Sequence, residues 1–445
     1  MSEMMIAGWG NYPMIEARVS KADSAEKAKE YVYGTNAFIT RGLGRSYGDS
    51  SLNTNILSTL KLNRMLSFDE KVGILSCESG VTLSEILDIF VPRGWFLPVT
   101  PGTRYVTLGG AIASDVHGKN HHKDGSFSDH LISMDVMTAE GKIETCSKTM
   151  NADLFKATCG GMGLTGVILN ASFKLKRIET AYIKQTTIKS RNLDETMDLF
   201  EKYGSFTYSV AWIDCLSKNE RIGRSILMLG EHADPGDIKD LTISKNALVL
   251  KKKNNLNIPI NFPNSILNSV TAKCFNFLYY HKHPNRTNES IVDYDSFFYP
   301  LDSIHNWNRI YGARGFTQYQ LVLPYDMSKD GLMKILTSIS NSGRGSFLAV
   351  LKLFGKENDN LISFPMAGYT LALDFPIIPG LFPFLDELDK IVLDYGGRLY
   401  LSKDVRMGSD MFFKSYANAG RFKSAKLYFD KNNKLQSFQS KRLGL

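Results

Sequence analysis

A glycine-rich stretch from Pro98 to His122, PVTPGTRYVTLGGAIASDVHGKNHH, constrains the fold of this chain more than any other segment. Its glycines permit backbone conformations with positive φ and close approach to a ligand: Gly102, Gly109, Gly110 and Gly118. Successive free N–H groups in such turns bind anions. The apolar run 108–112 indicates a buried turn or the start of a helix. A large anionic cofactor along the stretch would explain this composition, although a purely structural loop standing alone has the same signature.

Two further glycine-rich loops accompany this stretch. The first, RGLGRSYGD at residues 41–49, follows a predicted strand–helix–strand unit over residues 15–40, and its G-x-G-x-x-x-G spacing differs from the dinucleotide fingerprint. The second contains a literal G-x-G-x-x-G at residues 161–166. A helix pattern precedes it and a strand pattern follows, which reverses the order that a Rossmann site needs. We therefore predict no Rossmann NAD site and interpret residues 160–166 as a tight helix-to-strand turn against a buried ligand.

The remaining patterns predict an α+β architecture. Before residue 178 they indicate strands at ILSTLKL (56–62) and GILSCES (73–79), a helix after Thr82, a hairpin over 131–147 turning at Glu140-Gly141, and a short helix over 151–158. After residue 178, aromatic-rich segments and strand and helix patterns indicate a sheet with helices on one face. Residues 245–263, with the run Lys251–Lys253, are predicted to form a mobile loop.

The composition excludes several classes of protein. The chain has 445 residues, enough for two domains and a sizeable core without disulfides. Its five cysteines are scattered without C-x-x-C or C-x-x-H spacing, which predicts neither a disulfide framework nor a zinc site and favours a reducing compartment. We expect no signal peptide and no transmembrane helix. The net charge of +8 is dispersed, which argues against nucleic acid but suits a phosphate-bearing partner or an anionic membrane surface.

In their order and spacing, the loop motifs resemble those of the FAD-binding oxidoreductases of the vanillyl alcohol oxidase type. These motifs are GLGRSYGD (42–49), PGT (101–103), LGGAIA (108–113), HGKNHH (117–122) and GLTG (163–166). Further motifs resemble the family members that oxidise a polyprenyl-phosphoryl pentose: AWID (211–214), WNRIYG (307–312), QYQ (318–320), LKLFG (351–355), SFP (363–365), DFP (374–376) and GGRLYLSKD (396–404). The resemblance therefore covers nearly the whole chain.

This resemblance implies an α+β protein of three parts. Residues 1–178 would form a two-subdomain FAD-binding domain of the vanillyl alcohol oxidase (PCMH) type. Residues 179–397 would form an α+β substrate-binding domain with an antiparallel sheet, and the C-terminal segment 398–445 would return to the FAD domain.

FAD would lie extended between the two subdomains, with its isoalloxazine facing the substrate domain. The implied cofactor-binding residues are Arg41, Gly42, Leu43, Gly44, Arg45, Ser46, Tyr47, Gly48, Pro101, Gly102, Thr103, Thr107, Gly109, Gly110, Ala113, Ser114, His117, Gly118, Asn120, Gly163, Gly166 and Tyr400. In many flavoproteins of this type a histidine in the first loop is bonded to the flavin. Arg45 stands there in this chain and cannot form the link, so we expect non-covalent FAD. Ala372 stands where similar members carry cysteine, and hydride transfer needs no thiol.

Lys403 is the first candidate catalytic residue by resemblance, and His117 is the second. Hydride loss from a sugar carbon requires loss of the hydroxyl proton, which a base accepts or a cation assists. A histidine with a pKa of about 6.5 suits proton transfer, whereas a lysine acts as a base only if burial lowers its pKa. The implied substrate-binding residues are Lys119, Trp212, Tyr311, Gln318, Gln320 and Lys352. The H-x-x-x-H-H pattern at 117–122 is donor-rich, but no nearby cysteine or carboxylate set completes a site, so no metal is predicted.

The reaction implied is oxidation of the 2′-hydroxyl of a polyprenyl-phosphoryl pentose to the 2′-keto sugar. This would be the first half of a ribose-to-arabinose epimerisation for cell-envelope polysaccharide, completed by a separate NAD(P)H-dependent keto-sugar reductase. Two alternatives stay open: an oxidase of the same fold acting on a free sugar, sugar acid or alditol, and a binding or scaffold protein that has lost turnover. The expected location is the cytoplasm or the periphery of the cytoplasmic membrane.

Overall fold

The computed structural model describes residues 2–239, 246–250, 256–263, 266–283 and 285–445. Two sheets lie within the first 174 residues. A four-stranded sheet has the order β1-β2-β4-β3 and contains β1 (Ser2–Ala7), β2 (Met14–Lys21), β3 (Ile39–Arg41) and β4 (Asn55–Ser58). A five-stranded antiparallel sheet has the order β5-β6-β10-β8-β9 and contains β5 (Met65–Asp69), β6 (Ile74–Glu78), β8 (Leu131–Met137), β9 (Ile143–Cys146) and β10 (Val167–Lys174). The short strands β7 (Trp95–Phe96) and β11 (Lys176–Arg177) pair with each other.

Short helices connect the strands of this first part. They are α1 (Ala25–Gly34), α2 (Leu83–Phe90), α3 (Leu108–Ala113), α4 (His121–Asp124) and α5 (Ala152–Thr158). The Ser24 side chain caps α1, and Thr82 with Glu85 forms a capping box on α2, so polar side chains satisfy the first N–H groups of these helices. The helix predicted within residues 15–40 and the helix predicted after Thr82 are therefore confirmed.

An eight-stranded sheet dominates the rest of the chain, in the order β16-β12-β14-β13-β19-β20-β18-β21. Its strands are β12 (Tyr182–Ser190), β13 (Tyr208–Ile213), β14 (Ser225–His232), β16 (Thr287–Asp293), β18 (Phe316–Pro324), β19 (Ala349–Phe354), β20 (Gly368–Pro376) and β21 (Arg398–Leu399). The helices of this region are α6 (Leu193–Lys202), α7 (Ser269–His281), α8 (Tyr294–Phe298), α9 (Tyr325–Ser342) and α10 (Leu381–Asp394). The small pair β15 (Leu256–Asn257) and β17 (Ile304–His305) is parallel.

The two faces of this sheet differ because side chains alternate along each strand. On one face, Tyr319, Leu351 and Leu371 join apolar side chains of α6, α9 and α10 in one large core. On the other face a row crosses four strands, Trp212 opposite Val350, Val350 opposite Ala372 and Ala372 opposite Gln320. Positions two residues along the same strands add the polar side chains Gln318, Lys352 and Asp374 to this second face. We call it the polar face; it meets the glycine-rich loops of the first part.

The C-terminal segment joins both parts. After β21 it forms α11 (Ser409–Ser415), α12 (Ala419–Phe429) and α13 (Phe438–Leu443). Leu435 bridges to Phe38 beside β3, and the Arg442 guanidinium pairs with Asp49 at 2.6 Å and with Asp404 at 2.9 Å. Residue 404 is thereby tied to the end of the first glycine-rich loop. The predicted limits at residues 178 and 397 stay predictions.

The structure confirms the α+β class, the hairpin over 131–147 and the helix-before-strand context of the 161–166 glycines. The strand predicted at 56–62 is wrong in its extent, because β4 ends at Ser58 and a turn leads into the unpredicted β5. Part of the predicted mobile loop, including Lys251–Lys253, lies outside the described residues. In the part of the chain that the structure describes, every helix is too short or too polar to cross a bilayer.

Candidate active site

The first glycine-rich loop offers backbone N–H donors directly after the C-terminal end of β3. Within the described chain, the N–H groups of residues 43–46 form no hydrogen bond. Gly44 has φ of +67°, the left-handed conformation that favours glycine. At Gly42 a Cβ would lie 2.2 Å from the Thr107 hydroxyl, so only glycine lets the loop pack against the start of α3. The two predicted cofactor loops are therefore in contact, and the N–H groups of residues 43–46 beside this contact are unused.

Arg45 has a packed position in this loop. Its guanidinium carbon lies 3.9 Å from the centroid of the Trp9 ring and 5.4 Å from that of Tyr105. Burial lowers the pKa of Arg45 below its ordinary value. Cation–π contacts with these two aromatic rings hold the Arg45 side chain in place within the loop.

The central stretch turns from α3 into the active site. The Thr107 hydroxyl accepts a hydrogen bond from the Gly110 N–H and caps α3, while the Gly109 N–H donates to the Ser79 carbonyl. After α3, the buried Asp115 carboxylate accepts hydrogen bonds from Asn358, Asn360 and Ser363. These bonds fix the backbone that presents His117 to the polar face.

The residues present fit FAD. The unused N–H groups at 43–46 can receive a pyrophosphate, as backbone nests do. Two buried polar atoms nearby, Ser79 Oγ and His117 Nδ1, have no hydrogen-bond partner in the described chain. Buried polar atoms rarely remain unpaired, and each can pair with a polar group of the cofactor.

A charged cluster occupies the polar face opposite these loops. The Gln318 amide donates to Asp374 Oδ1 at 2.6 Å, and the Tyr311 hydroxyl donates to Asp374 Oδ2 at 3.4 Å. The Lys403 ammonium lies 3.9 Å from the centroid of the Tyr47 ring. Tyr47 belongs to the first loop, so this contact joins the cofactor loop to the charged cluster.

Burial shifts the pKa values of the cluster toward neutral forms. It raises the pKa of Asp374 and lowers that of Lys403, while the attraction between the two groups opposes both shifts. Burial lowers the pKa of Lys352 to about 8, and burial together with Lys352 lowers the pKa of Lys119 to about 7. Near neutral pH, part of the Lys403 population is therefore a free amine that can accept a proton.

His117 packs among three aromatic rings beside this cluster. Its ring centroid lies 4.8 Å from that of Phe354, 5.1 Å from Tyr400 and 5.5 Å from Phe364. The Gln320 Nε2 donates to His117 Nε2 at 3.0 Å, which places the ring proton on Nδ1. Burial, reinforced by Lys352, holds the pKa of His117 well below 6.5, so the expected ordinary pKa is wrong. His117 is a neutral donor at Nδ1 and a poor proton acceptor.

Lys119 and Trp212 lie at the margins of the cluster. The Lys119 ammonium donates to the backbone carbonyls of Phe297 at 2.8 Å and Phe298 at 3.1 Å. The Trp212 indole N–H donates to the Phe347 carbonyl, and its ring lies 4.7 Å from that of Tyr279. The structure brings four of the predicted substrate residues around Lys403 and His117: Tyr311, Gln318, Gln320 and Lys352. Lys119 and Trp212 lie at the edge of this group.

Several predicted cofactor residues also have structural partners. Arg41 donates to the Ala7 carbonyl, Thr103 to Asp302, Asn120 to the Pro98 carbonyl and Tyr400 to the Ser114 carbonyl. A Cβ at Gly166 would lie 2.3 Å from Val136, so sheet packing alone requires that glycine. The roles of these side chains toward FAD stay predictions.

The histidines of the 117–122 pattern point to separate partners. His121 Nδ1 accepts the Gly355 N–H, while His122 Nε2 pairs with the Phe206 carbonyl. Among the described residues, no three His, Cys, Asp or Glu side chains are grouped so as to hold a metal ion.

Sequence reasoning gave no role to Asp374. It is a carboxylate inside the otherwise apolar strand YTLALDFP, and its residue is buried. Burying a charged side chain inside a sheet is costly unless the charge is paired. An aspartate in this apolar strand could therefore have marked Asp374 as a functional candidate.

Comparison with known proteins gives consistent matches. Residues 17–147 match the FAD binding domain family. A decaprenylphosphoryl-beta-D-ribose oxidase of Mycolicibacterium smegmatis is 37% identical over 99% of this chain and 97% of its own length. An uncharacterized Streptomyces coelicolor protein is 29% identical over 82% of this chain and all of its own. An L-gulonolactone oxidase of Scyliorhinus torazame is 33% identical, but only over 30% of each chain.

Proposed function

The chain belongs to the decaprenylphosphoryl-β-D-ribose oxidase family of FAD-dependent oxidoreductases, and from that premise we propose its substrate and the roles of its residues. The substrate is decaprenylphosphoryl-β-D-ribose or a close polyprenyl-phosphoryl pentose. The product is the 2′-keto sugar. One observation supports this most: Lys352 and Lys403 share a partly buried site beside His117, and Lys119 lies at its margin.

Lys403 takes the proton of the 2′-hydroxyl. FAD, when bound, supplies the acceptor for the hydride that leaves the same carbon. Because burial lowers the pKa of Lys403, the free amine is available near neutral pH. Asp374 stabilises the resulting ammonium, since its carboxylate raises the pKa of Lys403.

Lys352, with Lys119 at the margin, binds the phosphodiester of the substrate. Burial lowers the pKa values of both lysines, and a bound anion would oppose that shift and favour their charged forms. The Lys119 ammonium has three donors, of which two are held by the carbonyls of Phe297 and Phe298. The third donor is left for an anion.

His117 and Gln320 orient the flavin edge. The Gln320 amide fixes the ring tautomer, and the Nδ1–H, which has no partner in the described chain, is the donor offered to the cofactor. This role needs no change of protonation, which agrees with the depressed pKa of the ring.

The wider setting follows from the substrate. A 2′-keto sugar requires a separate NAD(P)H-dependent reductase to complete a ribose-to-arabinose epimerisation for cell-envelope polysaccharide. A lipid-linked substrate also requires contact with a membrane surface. The alternative is oxidation of a free sugar, sugar acid or alditol. A neutral sugar or an alditol offers no anionic partner for the three lysines, and a sugar acid offers only a carboxylate.

The test is flavin reduction under anaerobic conditions. Purified protein is mixed with a short-chain prenyl-phosphoryl ribose, with ribose, or with an alditol, and the loss of flavin absorbance is followed. We expect rapid bleaching by the prenyl-phosphoryl sugar alone. Bleaching by ribose or the alditol at the same rate would favour the alternative, and a bound flavin that no sugar reduces would favour a binding protein.

A further inference from the structure

A second cleft lies outside the candidate active site, between the β13–β14 connection and helix α7. Its volume is about 950 Å³. Four cationic side chains line it, Lys218, Arg221, Arg224 and Lys273, against two acidic ones, Asp214 and Glu220. The proposed oxidation does not use this cleft.

Its interior charges are already balanced. Arg224 pairs with the buried Asp214 at 2.8 Å, and Asn276 of α7 donates to the other oxygen of the same carboxylate at 2.7 Å. Within the described ranges, the Lys218 ammonium reaches only the side-chain oxygen of Asn341, at 3.5 Å. Among the described residues, Arg221 and Lys273 form no ion pair. The mouth of the cleft therefore carries surplus positive charge on exposed side chains.

Helix α7 forms one wall and presents an apolar stripe outward. Val270, Phe277 and Leu278 are 66%, 55% and 67% exposed, and their i, i+7, i+8 spacing places them on one side of the helix. The opposite side is anchored, because Tyr279 contacts Trp212 and the Tyr280 hydroxyl donates to the Ser190 carbonyl. The outward stripe therefore belongs to a firmly packed helix.

Cationic side chains next to an exposed apolar helix face are typical of a surface that lies in a membrane interface. Anionic headgroups complement the cations, and the apolar stripe replaces water by acyl chains. A protein interface fits less well, since lysine is depleted at the buried centre of such interfaces.

We propose that this cleft binds the headgroup of an anionic membrane phospholipid, with the α7 stripe inserted among the acyl chains. The proposal rests on the membrane contact included in the proposed function and gives it a location. Held there, the chain would meet a lipid-linked substrate at the bilayer surface.

The test is vesicle co-sedimentation of the full-length FAD-loaded protein. Vesicles contain phosphatidylcholine alone or phosphatidylcholine with phosphatidylglycerol. One variant carries Arg221→Gln and Lys273→Gln, which spares the Asp214–Arg224 pair; a second carries Phe277→Ser and Leu278→Ser. The matched control carries Lys71→Gln and Lys390→Gln, which removes the same charge from exposed positions on other elements.

We expect the wild type to bind only the phosphatidylglycerol vesicles. The charge variant should bind roughly 30-fold more weakly, at about 1 kcal/mol per basic residue, and the control as tightly as the wild type. The apolar variant should also release the vesicles. An equal loss in the control, unchanged binding by both cleft variants, or no vesicle binding by the wild type would each overturn the proposal, the last in favour of a protein partner.

Reduction of the flavin by the short-chain sugar is measured without vesicles. Failure of that reaction would refute the proposed substrate without affecting vesicle binding, so the two proposals fail separately.

Discussion

The cofactor loops and the polar face are built in opposite ways. The loops, residues 41–49 and 98–122, are continuous in sequence and offer mainly backbone N–H groups, with glycines where close packing demands them. The polar face is assembled from β18, β19, β20 and the segment after β21, and it acts through charged side chains. A set of backbone N–H donors needs only the right local conformation of one segment. A cluster of charged side chains forms only when strands distant in sequence pair in the right register. This difference supports the proposal that the first region holds FAD and the second carries the reacting side chains.

The two regions meet at the Gln320–His117 hydrogen bond and again where the first loop contacts the segment after β21. The Tyr47 N–H donates to the Ser402 carbonyl, and the Lys403 ammonium lies over the Tyr47 ring. A change on one side of this contact should therefore separate cofactor binding from chemistry, and the predictions below test that separation.

Acid precipitation should release all of the flavin into the supernatant. We propose that the loops hold FAD through backbone donors, and Arg45 has no imidazole nitrogen with which to form a histidyl–flavin bond. The measurement is the flavin absorbance of pellet and supernatant. Flavin that stays in the washed pellet would contradict a purely non-covalent holder.

Lys403→Met should keep FAD bound and slow flavin reduction by roughly 100-fold or more, the usual scale for one acid–base group. Stopped-flow absorbance with the prenyl-phosphoryl sugar measures the rate, and Lys390→Met on the exposed side of α10 is the control. Flavin reduction at the wild-type rate would show that Lys403 is not the catalytic group.

Lys352→Met should raise KM for the prenyl-phosphoryl sugar about tenfold and leave kcat nearly unchanged, because a phosphate contact made equally in ground and transition states affects binding alone. Steady-state kinetics gives both constants, with Lys390→Met again as the control. An equal loss in kcat would place Lys352 in the chemical step instead.

Gly48→Ala should destabilise the fold by about 1–3 kcal/mol and weaken FAD binding, since the new Cβ would lie 1.9 Å from the Asp404 carbonyl oxygen. Thermal unfolding of the apoprotein and FAD titration measure the two effects. Gly420→Ala is the matched control, because nothing lies within 4 Å of its Cβ. An unchanged melting temperature would mean that the backbone around Gly48 and Asp404 moves apart at little cost in stability.

Asp374→Asn should shift the pH profile of flavin reduction to lower pH by about one unit. The carboxylate raises the pKa of Lys403, so its removal lowers that pKa further. Because Lys403 acts as a base in the proposed reaction, the rate rises with pH through this pKa. The rising limb should move to lower pH in the variant and stay in place in the exposed Asp394→Asn control. A fixed profile would show that Asp374 does not act on Lys403.

The sequence was most informative where function depends on local conformation. Glycine spacing identified residues 41–49 and 98–122, and the order of helix and strand around residues 161–166 excluded a Rossmann site. It was least informative for Asp374 and for the pKa of His117. The role of Asp374 depends on its pairing with Gln318 in the next strand, and the His117 shift depends on burial among Phe354, Phe364 and Tyr400.

By itself, the sequence determined the α+β class, the family and the cofactor loops, because glycine positions and strand periodicity are local properties of the chain. Only the tertiary structure decided which lysines share a site, which nitrogen of His117 carries the proton and how far burial shifts each pKa. These depend on register between strands that lie roughly two hundred residues or more along the chain from the glycine-rich loops, and on desolvation that no single segment produces alone.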